Sequence, residues 1–210
     1  MPAVRPRSAV QSRRALLDAA AAEFAARGYA GANVDRIARR ARVNKAMIYY
    51  HFRSKAALYR EIIRDMLDAV AGRVRAIAAS DATPEEKLRA FIEAIAIEGE
   101  ARPHFPPMWL REIAEDGAHV DADALRDVRD VLASLGSIID EGCRAGRFHP
   151  VNPMLIQGTI IAPLMFFMAT GGVRRKLERT GTRRTLQFSR ADVVAHIQKV
   201  TLAVLEGRIA

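Results

Sequence analysis

The sequence predicts an all-α fold: a basic N-terminal three-helix head with a helix-turn-helix pattern, followed by a larger C-terminal helical body. Three observations carry this. Half of the residues are hydrophobic but aromatic residues make up only 6%, and β-branched runs are short, so helix formers dominate. Apolar residues recur at three- and four-residue intervals through most segments, and none alternates convincingly as a strand would. Cap residues and glycines stand where those segments should start and stop. With 210 residues, the chain has ample material for a buried core in one large or two small domains.

In chain order, residues 1–9 read as a loose basic arm. Ser12 caps a first helix running to Arg27, with Leu16, Leu17, Ala20 and Phe24 on one stripe, and Gly28 ends it. Asn33 caps a second helix whose inner face is Val34, Ile37, Ala38 and Ala41. Asn44 caps a short third helix with Ile48 and Phe52 pointing inward. Ser54 caps a longer connecting helix carrying Leu58, Ile62, Met66 and Val70. The head is therefore placed at residues 1–55 and the body at 56–210.

The body opens after a polar break at 80–84, with Pro84 in the first turn of a helix bearing Leu88, Phe91, Ile92 and Ile95. A stretch with three prolines, 102–107, interrupts. A short helix through Met108, Trp109 and Ile113 follows. The next helix, from Asp121 to about Ala145, has Leu125, Val128, Leu132, Leu135 and Ile139 in helical register. Asn152 or Pro153 opens a very apolar helix to about Thr170. Residues 171–190 read as an arginine-rich loop. Ser189 starts the last helix, with Val193, Ile197, Val200 and Val204 on one stripe.

The charge is unevenly placed. The chain carries +9 overall, yet residues 1–60 hold 13 Lys/Arg against 3 Asp/Glu, while the rest holds 20 against 21. The basic excess thus lies on the helix-turn-helix segment, where a positive field attracts phosphate backbones. A single cysteine, Cys143, excludes an intrachain disulfide and a multi-cysteine zinc site. The arm is followed by no apolar run of a signal peptide, and a cytoplasmic location is expected.

The third helix is too short to be stable alone and must pack Ile48 and Phe52 on Phe24, Ile37 and Ala38. Lys45, Ala46, Met47, Tyr49, Tyr50 and His51 are left partly or fully outward. Lys45 can donate to guanine acceptors or a phosphate, and Ala46 and Met47 suit a thymine methyl. Tyr49 and Tyr50 offer hydroxyls on rigid rings. His51 and Lys55 lie where the DNA backbone should run, and the helix starts after Asn33 and Ser54 can meet phosphates.

The run VNKAMIYYHFRSKAALY resembles the third and fourth helices of the TetR/AcrR family of bacterial repressors. The preceding RALLDAAAAEFAARGYAGANVDRIARRA resembles that family's first two helices. The resemblance covers roughly residues 12–60; beyond residue 75 only helix count and order support it. It implies an all-helical homodimer whose ligand-binding domain releases DNA when a small molecule binds. It implies that Lys45, Ala46, Met47 and Tyr49 face bases, and that Asn33, Asn44, Tyr50, His51 and Lys55 hold phosphates. Arg42 stands where the family has glycine in the turn, so it either adds a phosphate contact within an unusual backbone or reshapes the turn.

In the body, Phe91, Glu98, Phe105, Met108, Trp109, Glu112, Phe166 and Phe167 are expected to line a pocket for a small hydrophobic effector, with Trp109 and Glu112 central to it. Glu98 and Glu112 face apolar neighbours and need a partner, either an internal arginine or a cationic ligand. Residues 151–173 carry no charge, but the uninterrupted apolar run at 160–169 is shorter than the ~20 residues that span a bilayer. The better reading is a helix buried on several sides. Ile156, Ile160 and Pro163, with Val193, Ile197, Val200 and Val204 of the last helix, are expected in a four-helix dimer contact.

There is no GxGxxG, Walker loop, HExxH or GxSxG, and the five histidines have no ligand-like spacing. No enzyme activity, cofactor or metal is expected. The leading expectation is a homodimeric, ligand-responsive transcriptional repressor that binds a palindromic operator in double-stranded DNA. The alternatives are a TetR-like DNA binder without an effector, and a helical small-molecule-binding or oligomerising protein whose basic end only solubilises it.

Overall fold

Short-range capping lays out the helices, and a continuous core sets how they pack. The computed structural model describes residues 9–182 and 188–208, and no strand occurs among them. The head consists of α1 (Ala9–Gly31), α2 (Val34–Ala41) and α3 (Ala46–Phe52). α1 already runs from Ala9, so Ser12 is not its cap; the Ser12 side chain is buried within the helix. Residues 1–8 of the expected arm lie outside the described residues. Gly28, at φ +69°, breaks the regular helix where a C-terminal glycine was expected, and residues 29–31 add one further turn.

α2 starts on Asn33, whose side-chain oxygen accepts the N–H groups of Asp35 and Arg36. At α3 the cap position falls on Lys45, one residue later than expected, and the Asn44 side-chain oxygen accepts the Ala46 N–H from just outside it. Ser54 caps α4 (Lys55–Ala78) by accepting the Ala57 N–H. At 24 residues, α4 is roughly 36 Å long. It packs on α1 and α3 at one end and on α5 and α7 along the rest. The expected division after residue 55 therefore falls at the first residue of a helix that serves both halves.

In the body, α5 (Pro84–Ala101) opens on a Thr83–Glu86 capping box, with Pro84 in its first turn. α6 (Phe105–Ala114) takes Pro106 and Pro107 into its own first turn, where their missing N–H groups cost nothing. The proline stretch is thus partly the start of a helix. Asp121 caps α7 (Ala122–Arg144), and Asn152 caps α8 (Pro153–Ala169). A Ser189–Asp192 capping box opens α10 (Arg190–Leu205).

The arginine-rich segment corrects the sequence reading. It is not a loop throughout: α9 (Gly171–Leu177) continues into a π-helical turn, Glu178–Thr182. Arg174 is the reason. Its guanidinium donates to the Phe167 carbonyl and the Thr170 hydroxyl and lies 4.1 Å over the Phe167 ring. A residue counted as a loop charge therefore ties α9 back onto α8. Residues 183–187 of the expected loop lie outside the described residues. Among the described residues, no single helix is long and apolar enough to cross a membrane; the α8–α9 pair passes by length and composition only together, and it is bent by 59°.

One buried cluster runs from Leu16, Phe24, Ile37 and Ile48 in the head, through Leu58, Ile63 and Val74 of α4, to Leu88, Ile92, Leu135, Ile138, Ile160 and Leu202 in the body. Head and body therefore share a core, with α4 as its spine.

Candidate DNA-binding face and ligand cavity

The face is built by α3, held on Ile48 and Phe52, both buried. Tyr49 and Tyr50 stand outward, 47% and 74% exposed, with Ala46 exposed and Met47 half-buried against the core. His51 is half-buried, stacks edge-on with Tyr50 at 5.0 Å, and leaves its Nε2 shut from solvent without a hydrogen-bond partner. Of the set expected outward, Lys45, Ala46, Tyr49 and Tyr50 are exposed, whereas Met47 and His51 are half-buried.

Four of the residues expected to contact DNA are already engaged within the protein. Lys45 Nζ donates to Asp35 Oδ2 at 3.1 Å, in the first turn of α2, and lies 3.0 Å from Oδ1 of the same carboxylate. That hydrogen bond, and then the Asp35 charge, push the Lys45 ammonium above its ordinary value. Lys55 Nζ sits 4.6 Å over the Tyr29 ring. Asn33 and Asn44 spend their side-chain oxygens on capping, so their remaining role toward phosphate rests on the exposed amide and the helix start.

Arg42 adopts the left-handed conformation that a glycine would take, φ 55° and ψ 45°, and its N–H bonds to the carbonyls of Ala38 and Arg39. The turn is therefore kept, not reshaped, and the Arg42 side chain is exposed. Sequence reasoning missed Arg53, exposed at φ 66° directly after α3. No local signal marks it, because a left-handed arginine is disfavoured.

It also missed Glu23, which is buried yet locks the entry to α2. Glu23 accepts from Arg36 Nε at 2.6 Å and from the Asn33 N–H at 3.2 Å. Burial pushes its carboxyl up, but the Arg36 hydrogen bond, the Asn33 N–H and the charges of Arg36 and Arg27 outweigh this and hold it below its ordinary value. A carboxylate at a buried helical position was the available sign.

Head and body meet through α6. Arg111 donates to the carbonyls of Phe24 at 3.0 Å and Ala25 at 2.6 Å, near the end of regular α1. Beside it, Glu112 accepts from the Tyr59 hydroxyl at 2.7 Å and the His119 N–H at 3.0 Å. Burial, then the bond to Glu112, raise the Tyr59 phenol well above the usual tyrosine range. Tyr29 lies against His119 at 4.0 Å and against Tyr59 at 5.3 Å, closing the cluster. Glu112, Glu115 and His119 bring possible ligand atoms within 4.8 Å of one another. The Tyr59 and His119 N–H bonds already occupy both oxygens of Glu112.

A cavity of about 530 Å³ lies between α4, α6, α7 and α8, walled by Met66, Val70, Phe105, Trp109, Ile113, Val131, Gln157, Met165 and Phe166 among others. A second, of about 520 Å³, lies between α8, α9 and α10 and includes Phe166, Phe167, Arg174, Phe188 and Val193. The expected pocket residues divide accordingly. Phe105, Trp109 and Phe166 line the first cavity, and Phe166 and Phe167 the second. Phe91 and Met108 are sealed in the core and line neither. Glu98 is held by Arg73 at 2.7 Å and Arg102 at 2.5 Å, and Glu112 by Tyr59 and His119, so neither carboxylate faces these cavities. The expected internal arginine partner is found for Glu98, whereas Glu112 is held by Tyr59 and His119 and by no arginine among the described residues, and neither glutamate lines the pocket as expected.

The expected dimer residues divide too. Ile156, Ile160 and Ile197 are buried within the subunit's own core, so they are not available on an outer face. Pro163 and Val200 are exposed, Val193 and Val204 half-buried, with Leu155 and Phe166 exposed nearby. α8 is apolar on all sides, and a stripe that goes all the way round cannot distinguish core from surface.

Residues 16–62 match the sequence model of bacterial regulatory proteins of the tetR family. The chain is 38% identical over 84 residues to the HTH-type transcriptional activator FasR of Mycolicibacterium smegmatis, a stretch covering 40% of this chain and 38% of FasR. It is 24% identical over 149 residues to the HTH-type transcriptional regulator RutR of Escherichia coli O157:H7, covering 71% and 70% of the two chains. The fold matches that of the transcriptional regulator FadR from Bacillus subtilis, solved in complex with stearoyl-CoA, with a TM-score of 0.69 at 19% identity over 94% of this chain and 99% of that one. The match to the tetR-family model is confined to the head, and the all-helical fold of the chain as a whole is that of solved transcriptional regulators such as FadR.

Proposed function

We propose that the chain is a homodimeric transcriptional repressor of the cytoplasm, released from a palindromic DNA operator when a small hydrophobic molecule enters the cavity lined by Trp109. The observation that carries this reading is that one helix serves both ends. α6 contributes Trp109, Leu110 and Ile113 to the cavity wall and, through Arg111, grips the end of regular α1. A ligand that displaces α6 would move the anchor of the head, and with it the tilt of α3. Affinity then changes by the ligand's preference between the two arrangements.

The apolar wall suits a hydrocarbon ligand, in keeping with the acyl group present in the FadR complex. Pairing of two copies through the exposed parts of α8 and α10, around Leu155, Pro163, Phe166 and Val200, would bury apolar surface that is otherwise exposed. Such a two-fold pair would set two α3 helices about 34 Å apart, the spacing of half-sites one DNA turn apart.

The test is selection of bound duplexes from a random pool, repeated with a panel of apolar metabolites and drugs, together with solution mass. A palindromic consensus, a dimeric mass and loss of binding with at least one compound are expected. Binding without sequence preference, or a monomer at micromolar concentration, would contradict the reading.

A further inference from the structure

Among the described residues, the wall of the cavity between α4, α6, α7 and α8 holds no charged side chain, and Gln157 of α8 is the one side-chain amide or hydroxyl in it. The Oε1 atom of Gln157 is shut off from solvent and accepts no hydrogen bond. A buried amide oxygen without a donor is costly, and a ligand that supplies the donor recovers that cost. The last torsion of a glutamine side chain is broad, so turning the carbonyl toward an occupant is easy.

We propose that this cavity selects an uncharged, mostly hydrocarbon molecule carrying a hydroxyl, which donates its hydrogen bond to Gln157 Oε1. The proposal rests on the reading of this cavity as the effector site. The same wall rejects carboxylates. An anion would leave water for a site whose wall offers no cation to pair with it. Gln157 therefore sets specificity, while Trp109, Phe105, Met165 and their neighbours supply apolar contact.

Trp109 is the chain's sole tryptophan and lines the cavity, so its fluorescence reports occupancy. The probes are 1-undecanol, its isomer decyl methyl ether, which lacks the donor, and undecanoate at neutral pH. In the unaltered protein the alcohol is expected to bind ~10-fold tighter than the ether, with undecanoate weakest. In Gln157→Leu, and in Gln157→Met as a second apolar replacement, the advantage of the alcohol should vanish while the ether binds at least as well as before.

Equal affinity for alcohol and ether in the unaltered protein, or an advantage that survives both replacements, overturns the role of Gln157. Preference for undecanoate overturns the uncharged class. If no probe changes Trp109 fluorescence, the proposal and the reading of the cavity fall together. If the alcohol binds with the expected preference but leaves affinity for the selected duplex unchanged, the specificity stands and the regulatory reading falls.

Discussion

Lys45 at the start of α3 is tied to Asp35 at the start of α2, Nζ to Oδ1 at 3.0 Å. The residue proposed to meet a guanine or a phosphate is therefore already paired, and a bound duplex would have to compete with a carboxylate for it. Asp35→Asn removes that competitor and one negative charge from the face. DNA affinity at low salt should rise, and the slope of log affinity against log salt should steepen by up to ~0.9, the equivalent of one further phosphate contact. A salt titration of duplex binding checks this; an unchanged slope would show that the pair does not compete with DNA.

Arg42 keeps the turn between α2 and α3 by adopting a left-handed backbone at φ 55°. That conformation costs a non-glycine residue about 1–2 kcal/mol. Glycine also gives freedom to the unfolded chain, which offsets part of the gain. Arg42→Gly is therefore expected to stabilise the protein by roughly 0.5–1 kcal/mol while weakening DNA binding if the exposed guanidinium meets phosphate. Chemical denaturation and duplex titration on the same variant separate the two effects.

Arg111 links the cavity wall to α1 through the carbonyls of Phe24 and Ala25. Arg111→Met keeps much of the side-chain volume and loses both bonds. A saturating effector in a coupled system typically changes affinity ~5- to 150-fold; in this variant that response should shrink severalfold while effector binding itself persists. Operator titration with and without effector measures it. A full response in the variant would move the coupling elsewhere.

Glu23 and Asp121 give the stability its acid limit. Glu23 is held below its ordinary 4.5, as described above. Burial pushes Asp121 up, but the Arg64 bond, the Ala124 N–H and the nearby arginine charges hold it below its ordinary 3.8. Carboxyls lowered in the folded state stabilise it above their unfolded values, and that contribution is lost as pH falls through the folded values. Stability should therefore decline below about pH 4.5, and Glu23→Gln should be less stable near neutrality with a shallower decline. Asp127 runs the other way, since burial and the charges of Asp68 and Asp130 push its carboxyl up. Asp127→Asn should stabilise at neutral pH and have little effect in acid. Denaturation midpoints across pH check both signs.

Two helix glycines should respond oppositely to alanine. A Cβ on Gly142 of α7 would collide with Cδ2 of Phe148, a ring seated in the core. Gly142→Ala should cost about 1–3 kcal/mol. Nothing lies within 4 Å of a Cβ on Gly72 of α4, so Gly72→Ala should add about 0.5–1 kcal/mol by helix propensity. Thermal melts of the two variants should move in opposite directions.

Helix starts and the face of α3 were legible in the sequence because their causes are local. A cap such as Asn33, Ser54, Asp121 or Ser189 bonds N–H groups two or three residues away, and that spacing is visible in one dimension. The outward placement of Tyr49 and Tyr50 follows from the inward placement of Ile48 and Phe52 on the same short helix. The basic excess of the first 60 residues is likewise a property of the chain alone.

Tertiary structure decided what depends on partners far apart in the chain. It paired Lys45 with Asp35, set Arg111 against Phe24 and took Glu112 out of the cavity by bonding it to Tyr59, 53 residues away. It turned Ile156 and Ile160 into the subunit core and left Phe166 outside, a choice that an all-apolar helix cannot announce. It also placed Gln157 in an otherwise hydrocarbon wall. Periodicity specifies which residues share a helical face, but only packing specifies what that face meets, because burial and hydrogen-bond satisfaction are settled between elements and not within them.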